Sequence, residues 1–355
     1  MNKKLSMAVA GAVMAFGASA ANAGITIPAG DWTIDIGGNV NAYYTRTKLS
    51  GDLKTAGIED VAQTVQTGLL PSALGIGGKT RQNDLDIAFQ FTFFTGVDSG
   101  NAGSSAVGGF NGGPGALGTL PNGAAGANTL NIRQAYMTFG DKSWGTIKAG
   151  RDLGIFGSDA ILSDMTLLGV GVGAGAGGSS TLGRIGSGYM YADWVGQISY
   201  FSPNWNGFSF AAGVREPWTN GSSQSAVRNN LGFEGKVSYE WAGDYAGKVW
   251  ASYINQKHDQ DTTLAVLPTG SYTSRGWDIG GKVNVAGVGL VGYYYDGKGL
   301  SGPASGLSGL MFLSGNRSDD KGGYVQATYA LPGIGTKLGA SYGYSKSEAE
   351  SAIGG

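Results

Sequence analysis

From Trp32 to Tyr44 the chain alternates, with apolar Trp32, Ile34, Ile36, Val40, Ala42 and Tyr44 set against polar Asp35, Asn39 and Asn41. A side-chain period of two is the mark of a β-strand with one greasy and one wet face. The pattern returns as Leu85, Ile87, Phe89, Phe91 and Phe93 against Asp86, Gln90 and Thr92. It returns again as Leu231, Phe233, Val237 and Tyr239 against Glu234, Lys236 and Glu240. Strands of about ten residues suit a tilted membrane crossing. A soluble sandwich would bury the same apolar face against a second sheet, so alternation alone leaves both architectures open.

The connections discriminate. Alternation and turn residues predict thirteen strands, at 31–46, 66–80, 84–95, 129–140, 144–151, 186–202, 207–215, 228–241, 247–257, 272–286, 288–296, 320–330 and 335–346. Short turns fall at Arg81-Gln82-Asn83, Asp141-Lys142-Ser143, Pro203 to Asn206, Ala242 to Ala246, Ala286-Gly287 and Leu331 to Ile334. Long loops fall between them at 47–65, 96–128, 152–185, 216–227, 258–271 and 297–319. Short turns at one end and long loops at the other identify an all-β fold, a transmembrane antiparallel β-barrel. Pro71 cannot donate to a ladder, so the second strand needs a bulge or another boundary there. Trp32, Trp144, Trp205 and Trp241 all lie at the short-turn end, where an aromatic girdle belongs.

The N-terminus supplies an export route. Lys3 and Lys4 precede an apolar stretch from Leu5 to Phe16, and small residues lead to Ala21-Asn22-Ala23, so residues 1–23 read as a secretory signal peptide. After Gly24 no apolar run is long enough for a membrane helix. The chain has no cysteine and one histidine, His258, which removes disulfides, a zinc cluster and the common Cys or Ser/His nucleophiles. His258 beside Asp259 and Asp261 reads as a solvated turn, and no catalytic group, metal or cofactor is expected. Losing Lys3 and Lys4 takes the formal charge from −1 to −3, too near neutral for nucleic acid. The glycine spacing at Gly169-Val170-Gly171-Val172-Gly173 lacks the βαβ surroundings of a nucleotide site. Within strands, Gly38, Gly235 and Gly281 are expected where curved backbone passes close to a neighbour or where a side chain would block the lumen.

The stretch Asn131-Ile132-Arg133-Gln134-Ala135-Tyr136 leading to Gly145-Thr146-Ile147-Lys148-Ala149-Gly150-Arg151, with Tyr200-Phe201-Ser202-Pro203 and Gly207-Phe208-Ser209-Phe210, resembles the Gram-negative general porins over about residues 24–346. That resemblance implies a homotrimer of sixteen-stranded barrels in the outer membrane, passing small hydrophilic solutes and ions and meeting lipid and lipopolysaccharide outside. It also implies that the third long loop, here 152–185, folds inward and sets its carboxylates against a basic wall. The loop carboxylates would be Asp152, Asp159 and Asp164, and the wall Arg133, Lys148 and Arg151. Within that loop Ser158 to Met165 predicts a short helix capped by Ser158, and Ile161, Leu162, Leu167 and Leu168 would anchor it. Simple parity also turns Asp35, Asp86, Asp193, Arg215, Glu234, Lys236, Asp278 and Lys282 inward. Lys148 and Arg151, three apart, cannot both face the lumen from a regular strand.

Thirteen strands cannot close antiparallel, and the chain stops at Gly355 without the terminal aromatic of its relatives. The expectation is a sequence missing three strands, about 50 residues, or else one strand not counted. Mixed charges on the inner face favour a general diffusion channel over a sugar- or carboxylate-specific one, and either over an adhesin or a barrel enzyme.

Overall fold

The computed structural model describes residues 24–48, 61–97, 131–173, 181–217, 230–258, 271–300 and 318–349. The expected signal peptide and most of the long outer loops lie outside these. The elements are β1 (Ile25–Ala29), β2 (Trp32–Asn39), β3 (Tyr43–Lys48), β4 (Val61–Gln66), β5 (Ser72–Gln82), β6 (Leu85–Thr95), β7 (Asn131–Asp141) and β8 (Gly145–Leu153). The helix α1 (Ser158–Ser163) follows, then β9 (Val172–Gly173), β10 (Thr181–Gly183), β11 (Trp194–Phe201), β12 (Phe208–Arg215) and β13 (Gly232–Trp241). The series ends with β14 (Gly247–His258), β15 (Tyr272–Val285), β16 (Val288–Lys298), β17 (Ser318–Ala330) and β18 (Lys337–Ala349).

Fourteen strands form one antiparallel sheet in the order β1-β2-β5-β6-β7-β8-β11-β12-β13-β14-β15-β16-β17-β18, with β1 and β18 as its edges among the described residues. Apart from the separate β3–β4 and β9–β10 pairs, neighbours in that order follow one another along the chain, so the sheet is an up-and-down meander. Tight turns close one end. Asn83 and Asp84, at φ 49° and 62°, form a two-residue turn, as do Ala286 and Gly287 at 47° and 83°. Left-handed residues at both positions match the right-handed twist of the flanking strands.

The strand predicted at 31–46 is interrupted. β2 stops at Asn39 and β3 pairs with β4 as a separate hairpin. At the break the Asn41 side chain replaces the ladder, accepting from Gly68 N at 2.9 Å and donating to Leu70 O at 3.1 Å. Pro71 sits in this break immediately before β5, where its missing N–H costs no ladder bond. The uncounted strand is β1, paired with β2 from Ile25↔Ile36 to Ala29↔Trp32, which raises thirteen to an even fourteen. Gly38 is where a close approach demands glycine, since a Cβ there would lie 2.3 Å from Ala73 O, whereas Gly235 and Gly281 would accept one at ordinary contact distance.

Burial is inverted relative to a water-soluble protein. On β17 Val325 is 61 % exposed and its neighbour Gln326 only 8 %. On β13 Phe233, Val237 and Tyr239 are exposed while Glu234 and Ser238 are buried. An apolar exterior around a polar interior is stable only where hydrocarbon surrounds the sheet. A packed hydrophobic cluster lies inside, between the third long connection and the wall. Phe156, Ile161, Tyr189 and Met190 there meet Trp250, Tyr293, Tyr295 and Tyr324. Gly280 makes room for it, because a Cβ would fall 2.2 Å from the Trp250 ring.

Candidate pore constriction

The third long connection, L3, runs from residue 154 to residue 193 rather than from 152 to 185. Residues 186–193, predicted to begin a strand, instead turn into the barrel and bury Tyr189 and Met190 in the interior cluster. Its two ends are stapled, with Gly154 N donating to Asp193 O at 2.8 Å, so the loop leaves and rejoins the wall at one neck.

Wall carboxylates catch the loop at the start of α1. Ile155 N donates to Glu234 Oε2 at 2.6 Å, and Gly157 N donates to Asp278 Oδ2 at 3.1 Å. These two acids take the place of a capping side chain. The N-cap is Gly157 at φ 73°, with no side-chain cap, whereas Ser158 had been expected there. Ser158 is instead the first helical residue, donating its hydroxyl to Ile155 O at 2.7 Å and accepting from Lys236 Nζ at 3.2 Å. Glu234 also binds Arg215 Nη1 at 2.6 Å, which keeps its charge compensated out of water.

Asp159, one residue further, reaches back to the wall. Its Oδ1 lies 2.5 Å from Lys248 Nζ and its Oδ2 lies 2.7 Å from Lys236 Nζ. Burial opposes ionisation of this carboxyl, but the two ammoniums outweigh it and hold Asp159 below the usual carboxylate range.

The rest of L3 is tied along the wall to its far edge. Tyr324 donates to Ala160 O at 2.8 Å, Gln326 Nε2 to Ser163 O at 3.0 Å, and Met165 N to Gln326 Oε1 at 2.7 Å. The Arg184 guanidinium binds Ser341 through both its hydroxyl and its carbonyl, and Gly188 N donates to Ser345 Oγ at 3.2 Å. The tip reaches the segment before β5, with Leu69 N on Gly169 O at 2.8 Å and Tyr43 Oη on Leu168 O at 2.9 Å. L3 therefore crosses the lumen, lies against β13 to β18, and reaches the segment that leads into β5 on the other side.

The predicted site residues separate into three groups. Asp159 stands at the wall, with Lys236 and Lys248 as its cations. Asp164 holds L3 together, accepting from Thr166 N and Oγ1, Arg184 N, and Tyr189 Oη at 2.7–3.0 Å. Asp152 lies in β8, not in the loop, and is ion-paired with Lys148 on the same strand while accepting from Gln134 Nε2 at 2.8 Å. Lys148 also lies over the rings of Tyr136 and Phe201, 4.8 Å from each centroid.

Arg133 and Arg151 gather around Asp193 and Tyr191 at the neck of L3. A bulge does intervene, but in β7: Thr92 pairs with Gln134 and Phe93 with Ile132, so Arg133 is the extra residue. Arg133 is buried there, 4.8 Å above the Phe94 ring. Burial pushes the Asp193 carboxyl up, against the pull of Arg215, the Trp194 N–H, Arg151 and Arg133. Parity had already turned Glu234, Lys236 and Asp278 inward. Lys248 was missed, although it stands two residues before inward Trp250 and carries the same signal.

The opposite wall stays wet. Asp35 and Lys79, 3.6 Å apart, and Arg81, 2.8 Å from Asp86 and 3.0 Å from Asp141, keep partly exposed side chains on β2, β5, β6 and β7.

An apolar exterior, a charged interior and a loop clamped across the lumen define an outer-membrane β-barrel channel. The family model described as Gram-negative porin matches residues 8–354, and the chain belongs to that family. Its fold is similar to an anion-selective porin from Comamonas acidovorans, at 16 % identity, TM-score 0.56, with 89 % of this chain and 79 % of that one covered. It is also similar to Salmonella typhi OmpF (17 %, TM-score 0.57, 93 % and 83 %) and to the outer membrane channel DcaP of Acinetobacter baumannii (15 %, TM-score 0.58, 92 % and 82 %). No curated protein matches the chain. Family and fold point to a channel rather than an enzyme, and the protein is an outer-membrane diffusion channel.

Proposed function

We propose that the chain is a general diffusion porin working as a homotrimer, with L3 as its constriction and a modest, tunable ion preference. The observation that carries this reading is Asp159, which a loop inside the lumen delivers to two wall lysines at 2.5 and 2.7 Å. Small hydrophilic solutes pass between L3 and the wall bearing Asp35, Lys79, Arg81 and Asp86, whose mixed charges favour neither sign strongly. Asp152, Lys148, Arg133 and Arg151 belong to the neck, where they fix the entry of L3 and bias the local field.

A sugar-specific channel would offer aromatic faces to its solute. The inward Trp250, Tyr293, Tyr295 and Tyr324 are packed beneath L3 instead, which supports general diffusion. Outside, Arg275, Lys298, Lys321 and Lys346 stand exposed toward the long-loop ends of their strands, Arg275 opposite Lys298 and Lys321 opposite Lys346, a surface suited to lipopolysaccharide phosphates. The test is planar-bilayer conductance of the purified protein. Stepwise openings in threes, with a reversal potential in a salt gradient that moves in Asp159→Asn, are the expected result. A folded, inserted protein that passes no current would overturn it.

A further inference from the structure

Lys236, Lys248 and Lys282 lie on the inner face of three successive strands, β13, β14 and β15. Lys248 and Lys282 are direct cross-strand partners. Like charges placed directly opposite each other oppose folding, so the pair needs compensation. Asp159 compensates Lys248 and Lys236 together, and both of its oxygens are occupied in doing so. Lys282 forms no ion pair or hydrogen bond among the described residues, and it is only partly buried. On the other side of Lys248 stands Glu240, its cross-strand partner on β13, which is exposed. Five inward charges thus meet near the short-turn end, three ammoniums and two carboxylates. The uncompensated one is Lys282.

Resting on the channel reading, we infer that Lys282, supported by Lys248, forms a docking site for a small dianionic oxyanion on the short-turn side of L3. An oxyanion there lowers the repulsion between the two lysines; Lys282 donates to it directly, while Lys248, held by Asp159, contributes positive field. Arg215 and Arg133 are less suited, since the first is spent on Glu234 and the second is buried over Phe94. Glu240 acts in the opposite sense by weakening the local positive field.

The probe is inorganic phosphate, titrated into chloride solution while single-channel current is recorded from the full-length protein in planar bilayers. The wild type is expected to lose chloride conductance saturably. In Lys282→Gln the half-effect concentration rises about tenfold, Lys282→Arg stays within about twofold of wild type, and Glu240→Gln binds more tightly. Lys346→Gln, on the outer face, responds as wild type. An unsaturable wild-type response, or a conducting Lys282→Gln channel with the wild-type phosphate response, overturns the inference. Absence of current from every variant and from wild type would instead count against the pore itself.

Discussion

Gly157 on the loop donates its backbone N–H to Asp278 on β15 at 3.1 Å, and among the described residues that carboxylate forms no ion pair. It is neutralised by dipoles, since Ser252 N and Oγ and Tyr293 Oη also donate to it. Two residues on, the loop's own Asp159 takes two wall lysines. The loop and the wall therefore exchange charge in both directions, wall acids holding loop N–H groups and wall lysines holding a loop acid. Such a two-way latch fixes the position of L3 more tightly than either half alone, because sliding the loop breaks both sets together.

Asp159→Asn removes the loop carboxylate that, among the described residues, compensates Lys236 and Lys248, and leaves two largely buried ammoniums beside the lumen. One unit charge at about 4 Å is worth about 1 kcal/mol in water, so the chloride-to-potassium permeability ratio should rise by up to about fivefold. The reversal potential in a potassium chloride gradient measures it. An unchanged ratio would place Asp159 away from the ion path.

The pH dependence follows from the same pair. The Asp159 carboxyl lies below its unfolded value of about 3.9, so the latch is fully present above that pH and fades only as pH falls through the lower, folded value. The difference in ion selectivity between the wild type and Asp159→Asn should therefore stay constant from about pH 7 to about pH 4. A titration centred near pH 5 would mean that the two lysines do not hold this carboxylate.

Much of this was legible beforehand. Each of the thirteen predicted strands has a counterpart, since hydrophobic alternation and turn chemistry are local signals. β1 escaped because Ile25 and Ile27 give too few repeats to stand out beside a signal peptide. The partners of Asp159 were not legible, because they depend on how far a loop penetrates the barrel. That depth is set by Phe156, Ile161 and Tyr189 packing on Trp250 and Tyr324, a contact between distant parts of the chain. Arg133 was obscured differently, its bulge having no mark in the sequence.

Glu234 carries both Arg215 and the Ile155 N–H, with both ion-pair side chains almost fully buried. Glu234→Gln strands a buried guanidinium, at a cost of about 3–5 kcal/mol. The folded barrel in detergent should convert to the unfolded form at lower temperature, read as the shift in electrophoretic mobility on heating. Arg215→Met combined with Glu234→Gln should recover part of the loss, since the guanidinium is gone together with its carboxylate, although Asp193 then loses the pull of Arg215.

The assignment of faces can be tested by one charge placed on either side of the sheet. Ile279, exposed on β15, points into lipid, and arginine there should cost about 2–4 kcal/mol if it lies near the bilayer midplane. Gln90 faces inward on β6, on the same side as Thr92, to which it donates at 3.0 Å, and it is only partly buried. Gln90→Arg should fold with little loss of stability and move the reversal potential toward anions. Measured together by urea unfolding in lipid vesicles and by bilayer current, the two variants should fail in different assays. If Gln90→Arg were the destabilised one and Ile279→Arg altered selectivity, inside and outside would be exchanged and the lumen assignment of every charge discussed above would fall with them.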